Sequence, residues 1–175
     1  GRSVIVFYEL SEGGDMTRRG ELAHETQSLR FSDLEVVTHN GQTSLYMLVN
    51  RHARNDGNNA RKTEISRLYK LDSAFKPLWK RDYTAGQPNR LNTLVRHKDG
   101  YFITGGRMRG ADGRDIGWLL SLDEKGAVRW QKNMARGRRA EITKIHSAPG
   151  PRFVFAGTSH RQDRPGRGAW LGYID

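Results

Sequence analysis

The segment Ile116-Gly-Trp-Leu-Leu-Ser-Leu-Asp123, continued by Glu124-Lys-Gly-Ala-Val-Arg-Trp130, decides the fold because versions of it recur along the chain. Two features of the segment recur at spacings of 51 or 52 residues. The Trp occurs at Trp79 and Trp130, and the apolar residue followed by Asp occurs at Leu71-Asp72, Leu122-Asp123 and Ile174-Asp175. Self-similarity at a fixed period near 50 residues is the signature of a repeat architecture. The rest of the chain is therefore expected to divide into units of this length.

Each unit is predicted to contain up to four short strands, which we label A to D. Strand C is the quoted apolar segment, with copies at Ser3–Leu10, Glu64–Asp72, Ile116–Asp123 and Gly168–Asp175. Strand D follows a turn and ends at Leu22, Trp79 and Trp130. Strand A is predicted at Leu34–Val37, Leu91–Val95 and Ile142–Ile145, and strand B at Leu45–Val49, Tyr101–Thr104 and Phe153–Ala156. Several of these strands alternate apolar and polar residues, as half-buried strands do.

The links between strands are read from turn chemistry. The A–B links carry hairpin-type pairs, namely Asn40-Gly41, Asp99-Gly100 and Pro149-Gly150. Leu22–Leu29 is predicted to be a loop, with a helical turn as the alternative, because the chain has no convincing helical stripe of apolar residues. Trp79, Trp118, Trp130 and Trp170 fall at corresponding positions and are expected to pack between units, with Trp130 largely buried.

Four antiparallel strands per 50 residues are the unit of a β-propeller blade. The D-x-x-G-x-x-x-W run of Asp123–Trp130 resembles bacterial quinoprotein-like propellers, and the Trp-Leu and Leu-Asp pairs resemble the blade repeats of secreted bacterial propellers. The resemblance covers residues 32–175 and implies an all-β chain of about three and a half blades. The blades would be 1–31 (strands C and D), 32–86, 87–139 and 140–175 (strands A to C). The alternative is a β-sandwich of about a dozen strands.

The predicted blade count bears on partners and location. Propellers have four to eight blades, so we expect a second chain, or the remainder of a longer protein, to complete the ring. The likeness to secreted repeats favours a periplasmic or secreted location over a cytoplasmic one. No apolar run reaches the roughly 20 residues that a membrane span requires.

The charge of the chain is strongly basic and rich in arginine. Lys and Arg number 30 against 19 Asp and Glu, a net charge of +11, and 22 of the cations are Arg. In a propeller, the B–C and D–A loops share one face, which here would carry +9, while the opposite turns would carry −2. Arg binds carboxylate and phosphate in a bidentate manner. The other interpretation of this charge is a solvated surface in a protein from an Arg-rich organism.

These loops predict the functional surface. The candidate partner-binding residues are Arg51, Arg54, Arg61, Arg107, Arg109, Arg114, Arg136, Arg138, Arg139, Arg161, Arg164 and Arg167. We expect a non-catalytic module whose partner is an acidic protein or a polyanion. Binding to nucleic acid stays open only as a nonspecific interaction, because the chain has no recognition-helix pattern and no aromatic RNA-binding motif.

Catalytic and cofactor motifs are not found. The chain has no Cys, no pair of His at metal-ligand spacing, and no vicinal disulfide or acidic cluster of the quinoprotein kind, so no metal or cofactor is predicted. Gly105–Gly110 is glycine-rich but lacks the Lys-Ser/Thr of a phosphate loop. The rival hypothesis is that the chain belongs to a larger or two-chain enzyme, a hydrolase or a quinoprotein-like enzyme, with its chemistry outside this segment.

Overall fold

Thirteen β-strands make up all the regular secondary structure of the described residues in the computed structural model. The structure describes residues 3–24, 27–53, 64–134, 139–150, 152–160 and 166–174. The strands are β1 Ser3–Leu10, β2 Met16–His24, β3 Gln27–His39, β4 Gln42–Ala53, β5 Glu64–Asp72, β6 Pro77–Tyr83, β7 Asn89–Arg96, β8 Phe102–Arg109, β9 Asp115–Leu122, β10 Val128–Met134, β11 Arg139–Ser147, β12 Phe153–His160 and β13 Arg167–Ile174. The prediction of an all-β chain is therefore confirmed.

The first of two units spans Gly1–Asp82 and contains a hairpin and a sheet. The hairpin is β1-β2, and the sheet has four strands in the order β3-β4-β5-β6. Alternate residues of the central strands form the buried core of this unit, namely Leu45, Met47, Val49, Tyr69 and Leu71. The hairpin contributes Ile5, Phe7 and Leu22 to the same core, so its apolar face is covered by the sheet.

The second unit spans Tyr83–Asp175 and contains two antiparallel groups of strands. One group is β7-β8-β9, with β10 paired to β9, and the other is β11-β12-β13. A single parallel pairing, Arg139 with Asp115, joins the two groups into one sheet of seven strands. The core between the groups contains Ile103, Leu119, Ile142, Ile145, Phe153, Phe155 and Trp170.

The repeated Leu-Asp pairs have a local explanation in the turns that follow strands β5 and β9. The Oδ1 atom of Asp72 accepts hydrogen bonds from the backbone N–H groups of Ala74 and Lys76, both at 2.9 Å. Oδ1 of Asp123 accepts from Lys125 at 2.9 Å and from Ala127 at 2.7 Å. An Asp side chain that satisfies the turn backbone in this way explains why the residue recurs with the strand.

The three A-type strands share a β-bulge. The pairing register shifts between Phe31 and Asp33 in β3, between Leu91 and Thr93 in β7, and between Ile142 and Lys144 in β11. Opposite the last two bulges lie Gly106 and Gly157. At Gly106 a Cβ atom would lie 1.9 Å from the carbonyl oxygen of Arg90, so only glycine fits this close approach of two strands.

Some local predictions need correction. The loop predicted for Leu22–Leu29 is mostly strand, because β2 continues to His24 and β3 begins at Gln27. Trp118 and Trp170 are buried, but Trp130 is only half-buried, because it lies on β10, the outermost strand of its group. Gly105 and Gly106, in the glycine-rich segment Gly105–Gly110, lie within strand β8.

The described strands do not close into a propeller ring, and the number of blades stays a prediction. Of the residues that the structure describes, none forms a helix with the length and apolar character needed to cross a membrane.

Candidate functional site

Five of the twelve predicted partner-binding arginines have described side chains, and they lie in different environments. These are Arg51, Arg107, Arg109, Arg114 and Arg139. The backbone of Arg167 is described in β13, but its side chain is not. The other six, Arg54, Arg61, Arg136, Arg138, Arg161 and Arg164, lie outside the described residues.

Arg51 is part of a polar brace inside the first unit, in which its guanidinium binds neighbouring side chains. Its Nη1 atom donates to Gln27 Oε1 at 2.6 Å, and its Nη2 atom donates to Asp82 Oδ2 at 2.7 Å. Arg67 binds the same carboxylate with two hydrogen bonds, Nε to Oδ1 at 2.5 Å and Nη2 to Oδ2 at 2.8 Å. The Arg51 side chain is only 9% exposed, and its role in partner binding stays a prediction.

The brace shifts the pKa of each of its charged members. Hydrogen bonding from Arg67 lowers the pKa of Asp82 below that of an ordinary carboxyl group, against the opposing effect of burial. The hydrogen bond to Asp82 raises the pKa of Arg67. Burial, followed by repulsion from Arg67, lowers the pKa of Arg51. The brace joins side chains of β3, β4, β5 and β6, so it ties all four strands of the sheet together.

In the second unit, Asp115 organises two of the predicted arginines. Asp115 begins strand β9 and is buried, and its Oδ2 atom accepts a hydrogen bond of 2.8 Å from Nη1 of Arg107. Nε of Arg109 lies 3.3 Å from Oδ1 of the same carboxylate. Arg114 lies next to Asp112, with Nε 3.5 Å from Oδ2. The arginines on this edge are therefore held in place by neighbouring acids.

Glu141 holds a second cluster of polar side chains, Arg90, Asn92 and Arg107, at the same edge. Arg90 and Arg107 lie directly opposite each other in the β7–β8 register, an arrangement that is unfavourable for two like charges. Glu141 from β11 compensates for it, because its Oε1 atom accepts from Arg90 Nη2 at 2.5 Å and from Asn92 Nδ2 at 2.7 Å. Its Oε2 atom lies 4.0 Å from Arg107 Nε.

Strands β11, β12 and β13 carry basic residues at paired positions, and Asp115 of β9 lies at the end of this row, opposite Arg139. Glu64, Asp115 and Arg167 occupy the same position of the repeat, at spacings of 51 and 52 residues. Glu64 lies opposite His52, with 3.3 Å between Oε1 and Nε2, but Arg167 lies opposite His160. His160 in turn lies opposite Arg139. The last copy of the repeat has thus replaced an acid with an arginine, next to two further basic residues.

A small polar cavity lies where these clusters of charged side chains meet. It has a volume of about 260 Å³ and is lined by Arg90, Arg107, Asp115, Arg139, Ala140, Glu141, Thr158 and His160. Three arginines against two carboxylates leave its lining with a single positive charge when His160 is neutral. This volume lies just below the range of about 300–1,000 Å³ for sites of drug-sized ligands, so the cavity suits a small polar group.

The opposite ends of the same strands have a different character. The turns there carry Asp99, Asp123 and Glu124, which line a second cavity together with Lys125 and Arg129. Arg129 lies over the ring of Tyr101, with its Cζ atom 4.6 Å from the ring centroid. Burial, followed by repulsion from Asp99, raises the pKa of Tyr101. The lining of this cavity has a net negative charge, in contrast to the arginine-lined edge.

Sequence reasoning included Arg107, Arg109, Arg114 and Arg139 but missed the acids that position them. Asp115 and Glu141 enter the sequence-based charge totals only as negative charges on the loop face. The available signal was the repeat itself, because the change from Glu64 and Asp115 to Arg167 is visible once the copies are aligned.

No protein-family model matches the chain, and no curated protein matches it. In the part of the chain that the structure describes, no group of three or more His, Asp or Glu side chains is arranged to hold a metal ion.

Proposed function

We propose that this chain is a binding module built from propeller-type blades, and that its partner is an acidic protein or polyanion. The binding surface is the arginine-rich edge of the second unit, which we define by Arg107, Arg109, Arg114 and Arg139. Support for the blades comes from the four-stranded meanders, the shared bulges of the A-type strands and the repeated Asp turns. These features recur with the sequence period, as expected for copies of one structural unit.

The observation that carries the proposed binding role is the positioning of arginines around a cavity of net positive charge. Asp115 and Glu141 hold Arg107 and Arg90 by hydrogen bonds of 2.8 and 2.5 Å, so these side chains are ordered before a partner arrives. A guanidinium that is already ordered loses less conformational entropy on binding than a free one. Half-buried Arg109 and exposed Arg114 and Arg139 supply further positive charge for steering an acidic partner.

Heparin chromatography of matched triple variants tests this proposal. The first variant replaces Arg109, Arg114 and Arg139 with Gln. The control replaces Lys98, Lys125 and Arg152 with Gln; these residues lie in the links β7–β8, β9–β10 and β11–β12, at the opposite ends of the strands. Both variants lose three positive charges. We expect the first to elute at clearly lower salt than the control, because binding to a polyanion depends on local cations. Equal elution of the two variants would contradict the assignment of the surface.

A further inference from the structure

The cavity at the arginine-rich edge has a lining suited to one particular kind of anion. Its acids, Asp115 and Glu141, already accept hydrogen bonds from Arg107, Arg90 and Asn92. Arg139 differs, because its side chain is exposed, and it lies opposite His160 of β12 and Asp115 of β9. Thr158 and His160 complete this side of the cavity. A guanidinium, a hydroxyl group and an imidazole are therefore available as hydrogen-bond donors.

We infer that the cavity is a subsite for a single carboxylate group, with Arg139 and His160 as its anchors. A carboxylate carries one negative charge, which matches the single positive charge of the lining. A doubly charged phosphate would exceed that charge, and it would lie beside the carboxylates of Asp115 and Glu141. The volume of about 260 Å³ is sufficient for a short acidic group.

The carboxylate comes from one of two sources, a Glu or Asp side chain of a partner protein or a small free acid. The first source rests on the proposed function, in which an acidic partner engages the same edge. In that case the subsite would anchor the partner, because a charged pair in a confined cavity contributes more to affinity than exposed pairs at a rim. Arg139 and His160 lie directly opposite each other in the β11–β12 register, so the two anchors are neighbours at the cavity.

The subsite is tested by titrating the full chain with propionate at pH 8 and recording amide shifts in ¹H–¹⁵N correlation spectra. We expect saturable shifts in residues 139–141 and 158–160. Arg139→Gln should weaken binding by about tenfold, the loss expected for one charge-assisted pair, and His160→Gln should weaken it by a smaller factor. Arg152→Gln is the control with the same charge change and should bind propionate as tightly as the wild type.

Inorganic phosphate, which is mostly doubly charged at pH 8, should bind more weakly than propionate at this position. The inference is overturned if propionate produces no saturable shifts, if Arg139→Gln and Arg152→Gln behave alike, or if phosphate binds more tightly. Thermal melting of each variant establishes that it is folded.

A Glu-rich peptide and heparin then separate the inference from the proposed function. Heparin retention through Arg109 and Arg114 without propionate binding would refute the subsite and leave the proposed function intact. Propionate binding without any binding of peptide or heparin would support the subsite with a small acid as its ligand, and would refute the proposed function. Binding of both propionate and peptide, each weakened by Arg139→Gln, would support an acidic side chain of a partner.

Discussion

Gly106 offers the sharpest test of how the second unit is built. It lies in β8 opposite Leu91, immediately before the bulge in β7. A methyl group added at Gly106 would lie 1.9 Å from the carbonyl oxygen of Arg90 and 2.7 Å from the Cα atom of Leu91. Both atoms belong to the backbone of β7, which cannot move aside as a flexible side chain would. Gly106→Ala must therefore push β7 away from β8, and with it the Arg90 side chain that binds Glu141.

Overpacking costs about 1–3 kcal/mol, and a clash with backbone belongs at the upper end, so we expect a loss of about 3 kcal/mol. For a chain of this length, that loss lowers Tm by about 6–12 °C. Urea denaturation followed by tryptophan fluorescence provides the assay, because three of the four tryptophans lie in the second unit.

Gly168→Ala is the matched control for this experiment. Gly168 lies in a strand of the same unit, and its added methyl group would come no closer than 3.8 Å to another heavy atom. The control should change stability by less than about 0.5 kcal/mol. If Gly106→Ala were as mild as Gly168→Ala, the close approach of β7 and β8 would be wrong.

Three further changes follow from burial, charge and backbone geometry. Asp82→Asn should lower the unfolding free energy by about 2 kcal/mol, a figure reduced for the solvent exposure of Asp82, because two buried arginines lose their shared carboxylate. The pKa of Asp82 is lowered in the folded chain, so the carboxylate of Asp82 stabilises the fold fully above the ordinary carboxyl pKa. This stabilisation is lost as the pH falls through the lowered pKa. Acidification should therefore destabilise the wild type more than Asp82→Asn. Trp118→Ala should lower the unfolding free energy by about 3–5 kcal/mol in chemical denaturation, and Trp130→Ala should lower it clearly less, because Trp118 is 1% exposed and Trp130 is half-buried. Equal losses for the two variants would contradict this order. Phe75 has φ of 62° and stacks on Phe7 at 4.8 Å, so Phe75→Gly relieves strain while losing a contact and should destabilise less than Phe7→Ala.

Much of the fold could be predicted because its local signals repeat. Strand C carries an apolar segment that ends at Asp, and the structure shows why, since Asp72 and Asp123 bind the backbone of the turns that follow. Asn40-Gly41 marked a hairpin correctly, with both residues at positive φ. Strand lengths were less predictable: β3 extends over Gln27–His39, well beyond the predicted Leu34–Val37, because polar residues also pair in strands.

The candidate site was only partly predictable because charge counting ignores pairing. Arg51 and Arg109 look alike in the sequence, yet Arg51 binds Asp82, which lies 31 residues away in the chain. Likewise, Arg90 meets Glu141 across 51 residues, from a different group of strands. Such long-range pairs depend on which strands pack together, and no local pattern encodes this information.

The claim that the arginine-rich edge is the binding surface is tested by mapping where an acidic polypeptide contacts the chain. Poly-L-glutamate is titrated into the ¹⁵N-labelled protein at low salt, and the shifts of assigned amides are followed. We predict the largest shifts in residues 107–115, 139–141 and 158–160, with attenuation in the Arg109, Arg114 and Arg139 triple variant and as the salt concentration rises. The account is contradicted if the shifts concentrate in residues 97–101 and 123–127, or if the triple variant binds as tightly as the Lys98, Lys125 and Arg152 control.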